Sequence, residues 1–160
     1  MEMINVYDNF LSPEDHVKVN EYVKSSPYYY GILDPGYDIP TGVSHKLDLD
    51  HNITVVLDSL LRSYYELPQL SVIYTNLFRP NEASHFHTDC KLENTYTGLY
   101  YANTEEWNYD EGGETQFLID DEIYGILPKP NRMILFDSRL LHKATPFRDR
   151  HRWTIALKYG

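Results

Sequence analysis

The chain has one cysteine, Cys90, and a single thiol can neither close an internal disulfide nor build a thiolate metal cluster. Any metal would fall to His and carboxylate side chains. Long apolar runs are also missing. None approaches the roughly 20 residues needed to cross a bilayer, so the reading is a soluble chain with no membrane partner. The start, Met1-Glu2-Met3 with Asp8 close behind, lacks the basic opening and apolar stretch of a secretory signal, and a cytoplasmic location is expected by default. Positive charge is in short supply, with 14 Lys and Arg against 24 Asp and Glu and a net charge of -10. The acids are spread along the chain and no footprint for a phosphate backbone emerges, which disfavours nucleic acid as a partner. The stretch from Arg139 to Lys158 is the exception, and it would suit a bound carboxylate as well.

What is present is the making of one domain, residues 1–160, long enough to close a single core. Tyrosine is abundant at 15 residues, in the run Tyr28-Tyr29-Tyr30 and the pair Tyr100-Tyr101 among others, which fits the half-buried surface of a sheet. Ser12-Pro13-Glu14-Asp15 is a helix start, with a hydroxyl cap, Pro in the first turn and acids beside the positive end of the dipole. That helix is expected to run to about Lys24, with Val17, Val19, Tyr22 and Val23 on its apolar face. Residues Asp34 to Gly42, rich in Pro and Gly, read as a surface loop and a candidate lid. A second helix is expected from about His51 to Tyr65, where Ile53, Val56, Leu57, Leu60, Leu61 and Tyr64 recur at spacings of three and four. After Pro68 the period shortens. Strands are expected at Leu70 to Phe78, Ser84 to Asp89, Tyr96 to Ala102, Thr115 to Ile119, Met133 to Phe136 and Arg152 to Tyr159. Two helices followed by a succession of strands predict a mainly β, α+β fold: an antiparallel sandwich or jelly roll with the N-terminal helices packed on one sheet. No internal repeat or interdomain linker is visible.

His87-Thr88-Asp89 places an imidazole and a carboxylate two residues apart, on one face if the segment is extended, so both can ligate one ion. His142 is the candidate third ligand. Two His and one carboxylate make the facial triad of non-haem Fe(II) oxygenases, while zinc competes for the same donors. Ten residues after His142 comes Arg152, sharing a strand face with Thr154. A guanidinium fork beside a hydroxyl is a natural receptor for the far carboxylate of a diacid chelated by the metal. The plain alternatives are a solvated His beside a turn Asp, and a salt bridge from Arg152 to one of the many acids.

From Ser71 to Tyr159 the sequence resembles the 2-oxoglutarate- and Fe(II)-dependent oxygenase superfamily, most closely its prolyl-4-hydroxylase-like branch. The resemblance rests on an ordered set: His87-Thr88-Asp89, Tyr100-Tyr101-Ala102-Asn103, Trp107, Gly112-Gly113-Glu114-Thr115, Pro128 to Arg132, Ile134-Leu135-Phe136, His142 and Arg152. It implies a double-stranded β-helix with His87, Asp89 and His142 as iron ligands and catalytic residues. Fe(II), 2-oxoglutarate and dioxygen are the implied cofactors and co-substrates, and ascorbate is a candidate reductant. Arg152 and Thr154 are the implied receptor for 2-oxoglutarate. Tyr101 matches a position whose hydroxyl touches the co-substrate in the hypoxia-factor prolyl hydroxylases. Asn76 and Phe78 match an Asn and a Tyr of AlkB-like members. Phe78 lacks the hydroxyl of that Tyr, and Tyr74 on the same strand face is its candidate replacement. The Gly112-Gly113 motif reads as a structural turn, Cys90 as packing, and His85 as a residue that shares parity with His87 but has a plain surface or core alternative.

The implied reaction is hydroxylation of a C–H bond with release of succinate and carbon dioxide. A protein or peptide substrate, attacked in the manner of a prolyl hydroxylase, is expected. The rivals are a free amino acid or other small molecule, an AlkB-like nucleic-acid dealkylation, and a non-catalytic metal-binding module. Substrate identity and oligomeric state are not written in the sequence.

Overall fold

The computed structural model describes residues 4–160. Its strands are β1 (Ile4–Tyr7), β2 (Tyr30–Gly31), β3 (Val43–Leu47), β4 (Leu70–Phe78), β5 (Tyr96–Tyr101), β6 (Thr115–Ile119), β7 (Glu122–Ile126), β8 (Met133–Asp137), β9 (Leu141–Ala144) and β10 (Arg152–Tyr159). Two helices, α1 (Pro13–Ser25) and α2 (Asn52–Tyr64), precede β4. Seven strands form the larger sheet in the order β1-β8-β5-β10-β4-β3-β2, and three form the smaller in the order β7-β6-β9. All pairings are antiparallel. The result is the double-stranded β-helix, or jelly roll.

Both faces of the larger sheet are covered, and away from the cavity both are apolar. On the outer face Ile73, Tyr100, Leu135, Ile155 and Leu157 pack against Val19 and Val23 of α1 and Leu57 and Leu61 of α2. The inner face meets the smaller sheet through Leu99, Tyr101, Ile134, Phe136 and Ala156 against Phe117. Helix α1 starts as its sequence prescribes, with Ser12 Oγ accepting from Asp15 N–H at 3.1 Å. Helix α2 is capped by the ring of His51, which accepts from Ile53 N–H at 3.2 Å. The helix faces differ from expectation at Val17, Val56 and Tyr64, which are exposed, while His16 and Asn20 are buried instead. No helix among the described residues is long and apolar enough to cross a membrane.

Two departures from the expected strand map bear on the site. Residues Ser84 to Asp89 do not form a strand. Their backbone meets the smaller sheet at intervals, with Ser84 N–H donating to Ala144 O, His87 exchanging both bonds with His142, and Asp89 N–H turning to Ser138 O. Side chains take other bonds, such as His85 N–H to Asp34 Oδ2 at 2.6 Å. The second departure is the hairpin of β2 and β3, which adds two strands beside β4 and carries the Asp34 to Gly42 loop at its tip.

Candidate metal centre

One face of β10 organises the site. Residues Arg152, Thr154, Ala156 and Lys158 alternate inward, as the two-residue period of a strand requires, and all four line one cavity of about 560 Å³ between the sheets. On the neighbouring strand β4, Asn76 lies opposite Thr154 and Tyr74 opposite Ala156, and both line the same cavity.

His87, Asp89 and His142 meet at the cavity wall, their ligand atoms all within 4.8 Å of one another. His87 Nε2 is 3.6 Å from Asp89 Oδ1, and His142 Nε2 is 3.5 Å from Asp89 Oδ2. The double backbone bond between His87 and His142 sets the two imidazoles side by side, with ring centroids 4.6 Å apart. Each Nδ1 lies 2.8 Å from a backbone carbonyl, that of His85 for His87 and that of Leu140 for His142. Those carbonyls assign the proton to Nδ1 and leave both Nε2 lone pairs facing the carboxylate, the tautomer that a metal ligand needs.

Electrostatics prepare the same donors. Burial pushes the Asp89 carboxyl up, but the Lys158 ammonium and the His87 ring outweigh it and hold Asp89 well below the usual carboxylate range. Thr97 adds a hydroxyl bond to Asp89 Oδ2 at 2.7 Å. Burial lowers His142 to about 4, keeping it neutral at physiological pH. His87 is also pulled down by burial, yet Asp89, the His85 carbonyl and Asp34 together raise it. Once a metal displaces the proton that these groups favour on His87, two imidazoles and a carboxylate are the donor set of a borderline divalent ion such as Fe(II).

Arg152 is 1% exposed and makes no ion pair among the described residues. Its Nε–H donates to Gly113 O and its Nη2 to Thr115 Oγ1, both at 2.9 Å. Gly112-Gly113-Glu114-Thr115 is therefore more than a turn, because it anchors the guanidinium. Gly113 has a φ of +87°, and a Cβ there would come within 2.5 Å of the Phe147 ring. Beside Arg152, Thr154 Oγ1 is buried without a hydrogen-bond partner. A buried cation and an orphan hydroxyl facing one cavity are costly unless a ligand supplies an anion and an acceptor, so the residues present fit a diacid.

Tyr101 is fully buried behind this pair. Its hydroxyl lies 2.6 Å from Thr115 Oγ1 and its ring 5.4 Å from the Arg152 guanidinium carbon, so it reaches the cavity through those residues. Phe78 sits 5.8 Å from the same guanidinium carbon. His85 stacks on Tyr37 with ring centroids 3.4 Å apart and is not part of the cavity wall.

Lys158, Thr97, Thr115 and Asp34 join the site without a motif of their own to mark them. Continuing the alternation Arg152, Thr154, Ala156 reaches Lys158, and stepping back from Tyr101 by twos reaches Thr97. Asp34, buried and 3.4 Å from His87 Nδ1, gives no such signal because it arrives on a loop.

Residues 72–159 match the model of the 2OG-Fe(II) oxygenase superfamily. The chain belongs to that superfamily. It is accordingly a 2-oxoglutarate-dependent Fe(II) oxygenase. Among solved structures it is similar to the prolyl hydroxylase of Trichoplax adhaerens, determined with a hypoxia inducible factor peptide, at 20% identity and a TM-score of 0.81 over 99% of this chain and 84% of that one. The collagen prolyl hydroxylase of Paramecium bursaria Chlorella virus-1 superposes with a TM-score of 0.71 at 16% identity, over 99% and 95% of the two chains. HygX of Streptomyces hygroscopicus, with nickel and 2-oxoglutarate bound, gives a TM-score of 0.73 at 10% identity, over 99% and 82%. No curated protein sequence matches the chain significantly.

Proposed function

We propose that this oxygenase hydroxylates a C–H bond of a peptide or protein, with His87, Asp89 and His142 holding the iron and Arg152 with Thr154 receiving the far carboxylate of 2-oxoglutarate. The observation that carries the reading is the Arg152 guanidinium, buried without a carboxylate partner in the cavity that the triad lines. When bound, Fe(II) supplies open coordination positions for the co-substrate and dioxygen and the redox capacity for oxidative decarboxylation. One oxygen atom goes to the substrate carbon and the other to succinate, with carbon dioxide released. Ascorbate is proposed as the reductant that restores Fe(II) after an uncoupled turnover.

The protein's own part is positioning. Asp89 and the two Nε2 atoms converge because backbone carbonyls fix both rings and Thr97 orients the carboxylate. Arg152 is held by Gly113 and Thr115 and offers a rigid fork to a carboxylate. Tyr101 supports that fork from behind, while Asn76 and Tyr74 border the co-substrate's path on β4. A peptide is favoured over a smaller substrate by the cavity's rim. Leu33, which lines the cavity, is 57% exposed, and Ile39 on the same loop is 78% exposed, so apolar surface awaits cover at the mouth. Fold likeness to two prolyl hydroxylases is in keeping with this.

Anaerobic addition of Fe(II) and 2-oxoglutarate is expected to give a weak visible charge-transfer band that His87→Ala abolishes. A band unaffected by that substitution would remove His87 from the site. Succinate release in the presence of proline-containing peptides, with a gain of one oxygen by mass spectrometry, tests the substrate class.

A further inference from the structure

Two lysines on the cavity wall belong neither to the triad nor to the receptor at Arg152 and Thr154. Lys158 ends the inward row of β10 and contacts Asp89 Oδ2. Lys46 lies at the exposed edge of the cavity on β3, opposite Tyr74, and has no ion pair or hydrogen bond among the described residues. Position separates both from the diacid. Arg152 and Lys158 are six residues apart on an extended strand, about 20 Å of rise, far longer than a five-carbon diacid. Asp89 touches the Lys158 end, so a diacid running from the triad to Arg152 lies on the Arg152 side. Lys46 shares a rung with Ala156, two residues from the Lys158 rung and four from that of Arg152. Both ammonium groups thus lie toward the end of the cavity away from Arg152, the part left for the prime substrate.

Charge bookkeeping points the same way. The lining carries Lys46, Arg152 and Lys158 against Asp89, and Asp34, buried 3.4 Å from His87 Nδ1, leaves a surplus of one positive charge. A divalent ion and a dianionic co-substrate cancel each other, so the surplus persists in the loaded site. In a chain of net charge -10, such a surplus inside the cavity marks it for an anion. We propose, resting on the site described under Proposed function, that the prime substrate bears a carboxylate close to the carbon that is hydroxylated, and that Lys46 and Lys158 receive it. The carboxylate belongs to an acidic side chain of a peptide or to a free amino acid.

The test uses the Fe(II)- and 2-oxoglutarate-loaded protein under anaerobic conditions, reading the visible band as probes are added, with calorimetry on the metal-free protein alongside. The probes are end-capped pentapeptides with a central Pro flanked by Asp, Glu, Ala or Lys, together with free L-proline and L-glutamate. The Asp and Glu peptides, or the free acids, are expected to perturb the band and bind at least tenfold more tightly than the Ala peptide, and the responding arm identifies the source of the carboxylate. Lys46→Glu is expected to weaken carboxylate probes at least tenfold and to strengthen the Lys peptide, with aerobic turnover showing the change in KM more than in kcat. Lys46→Ala serves if the reversal does not fold. Equal binding of Asp, Ala and Lys peptides overturns the proposal, as does failure of every carboxylate probe to bind at millimolar concentration or a uniform loss across all probes in the Lys46 variants. If the band never forms, the underlying site fails first and the inference goes with it.

Discussion

Thr154 separates ligand recognition from stability within one side chain. Its hydroxyl is buried with no partner, and replacing such a group by an apolar one of the same shape removes a desolvation cost. Thr154→Val is therefore expected to leave thermal unfolding of the ligand-free protein unchanged or slightly raised, while the KM for 2-oxoglutarate rises several-fold, about 1 kcal/mol of lost hydrogen bond. A lowered unfolding temperature with unchanged KM would show that the hydroxyl is structural. Arg152→Lys keeps the charge but loses the fork and the bonds to Gly113 O and Thr115 Oγ1. A rise of at least tenfold in the same KM is expected, about 1.4 kcal/mol, together with reduced stability. Equal kinetics for Lys and Arg would mean that a point charge suffices.

At the scale of elements, the turn before β6 and the docking of α1 make separate predictions. Gly113→Ala forces a side chain into a left-handed backbone and against Phe147, so unfolding should occur several degrees lower and 2-oxoglutarate binding should weaken because Arg152 loses its anchor. Normal stability in that variant would contradict the tight packing. Helix α1 buries His16, whose Nδ1 lies 2.5 Å from the Tyr100 hydroxyl. Burial lowers its pKa, with the Asn103 backbone opposing, so the folded state takes up its proton less readily than the unfolded chain. His16 therefore contributes stability above its unfolded value of about 6.5, and that stability declines as pH falls from there toward the depressed folded value. His16→Gln should flatten the dependence of unfolding temperature on pH in that window relative to the unmodified protein. An identical slope would assign the acid sensitivity elsewhere.

The same elements show where sequence reading succeeds. Both helices, β4, β6 and β10 carry their own signals, a cap and a period, and lie where expected. Five strands elude the periodicity for physical reasons, β3 among them because Ser44, His45 and Lys46 fill its middle. β1 and β2 are short edge strands, β9 is interrupted by His142 and Lys143, and β7 is largely exposed and turned by Asp120 and Asp121, both at positive φ, where Asn-Gly would have been the recognisable pair. In the candidate site the triad and Arg152 are readable because each sits at a fixed spacing from a motif. The support for His87 from Asp34 is not, since it depends on a loop folding back across 53 residues of sequence.

For the molecule as a whole, the cavity lies between two sheets with few groups of its own to neutralise Arg152, so ligands should hold the layers together. Metal and 2-oxoglutarate added jointly are expected to raise the unfolding temperature beyond either alone, and about 2.7 kcal/mol is available at a concentration one hundred times the dissociation constant. A chelator should reverse the gain. No shift with both present would argue against a shared site. The strand that carries Arg152 occupies the middle of the larger sheet, between β5 and β4, yet it is the last of the described strands in the chain. During synthesis those two neighbours must therefore wait with unsatisfied edges until β10 slides between them. Assembly of the Arg152 side of the site should then follow insertion of β10, and a ribosome stalled before residue 152 would present a sticky, gapped intermediate suited to a chaperone.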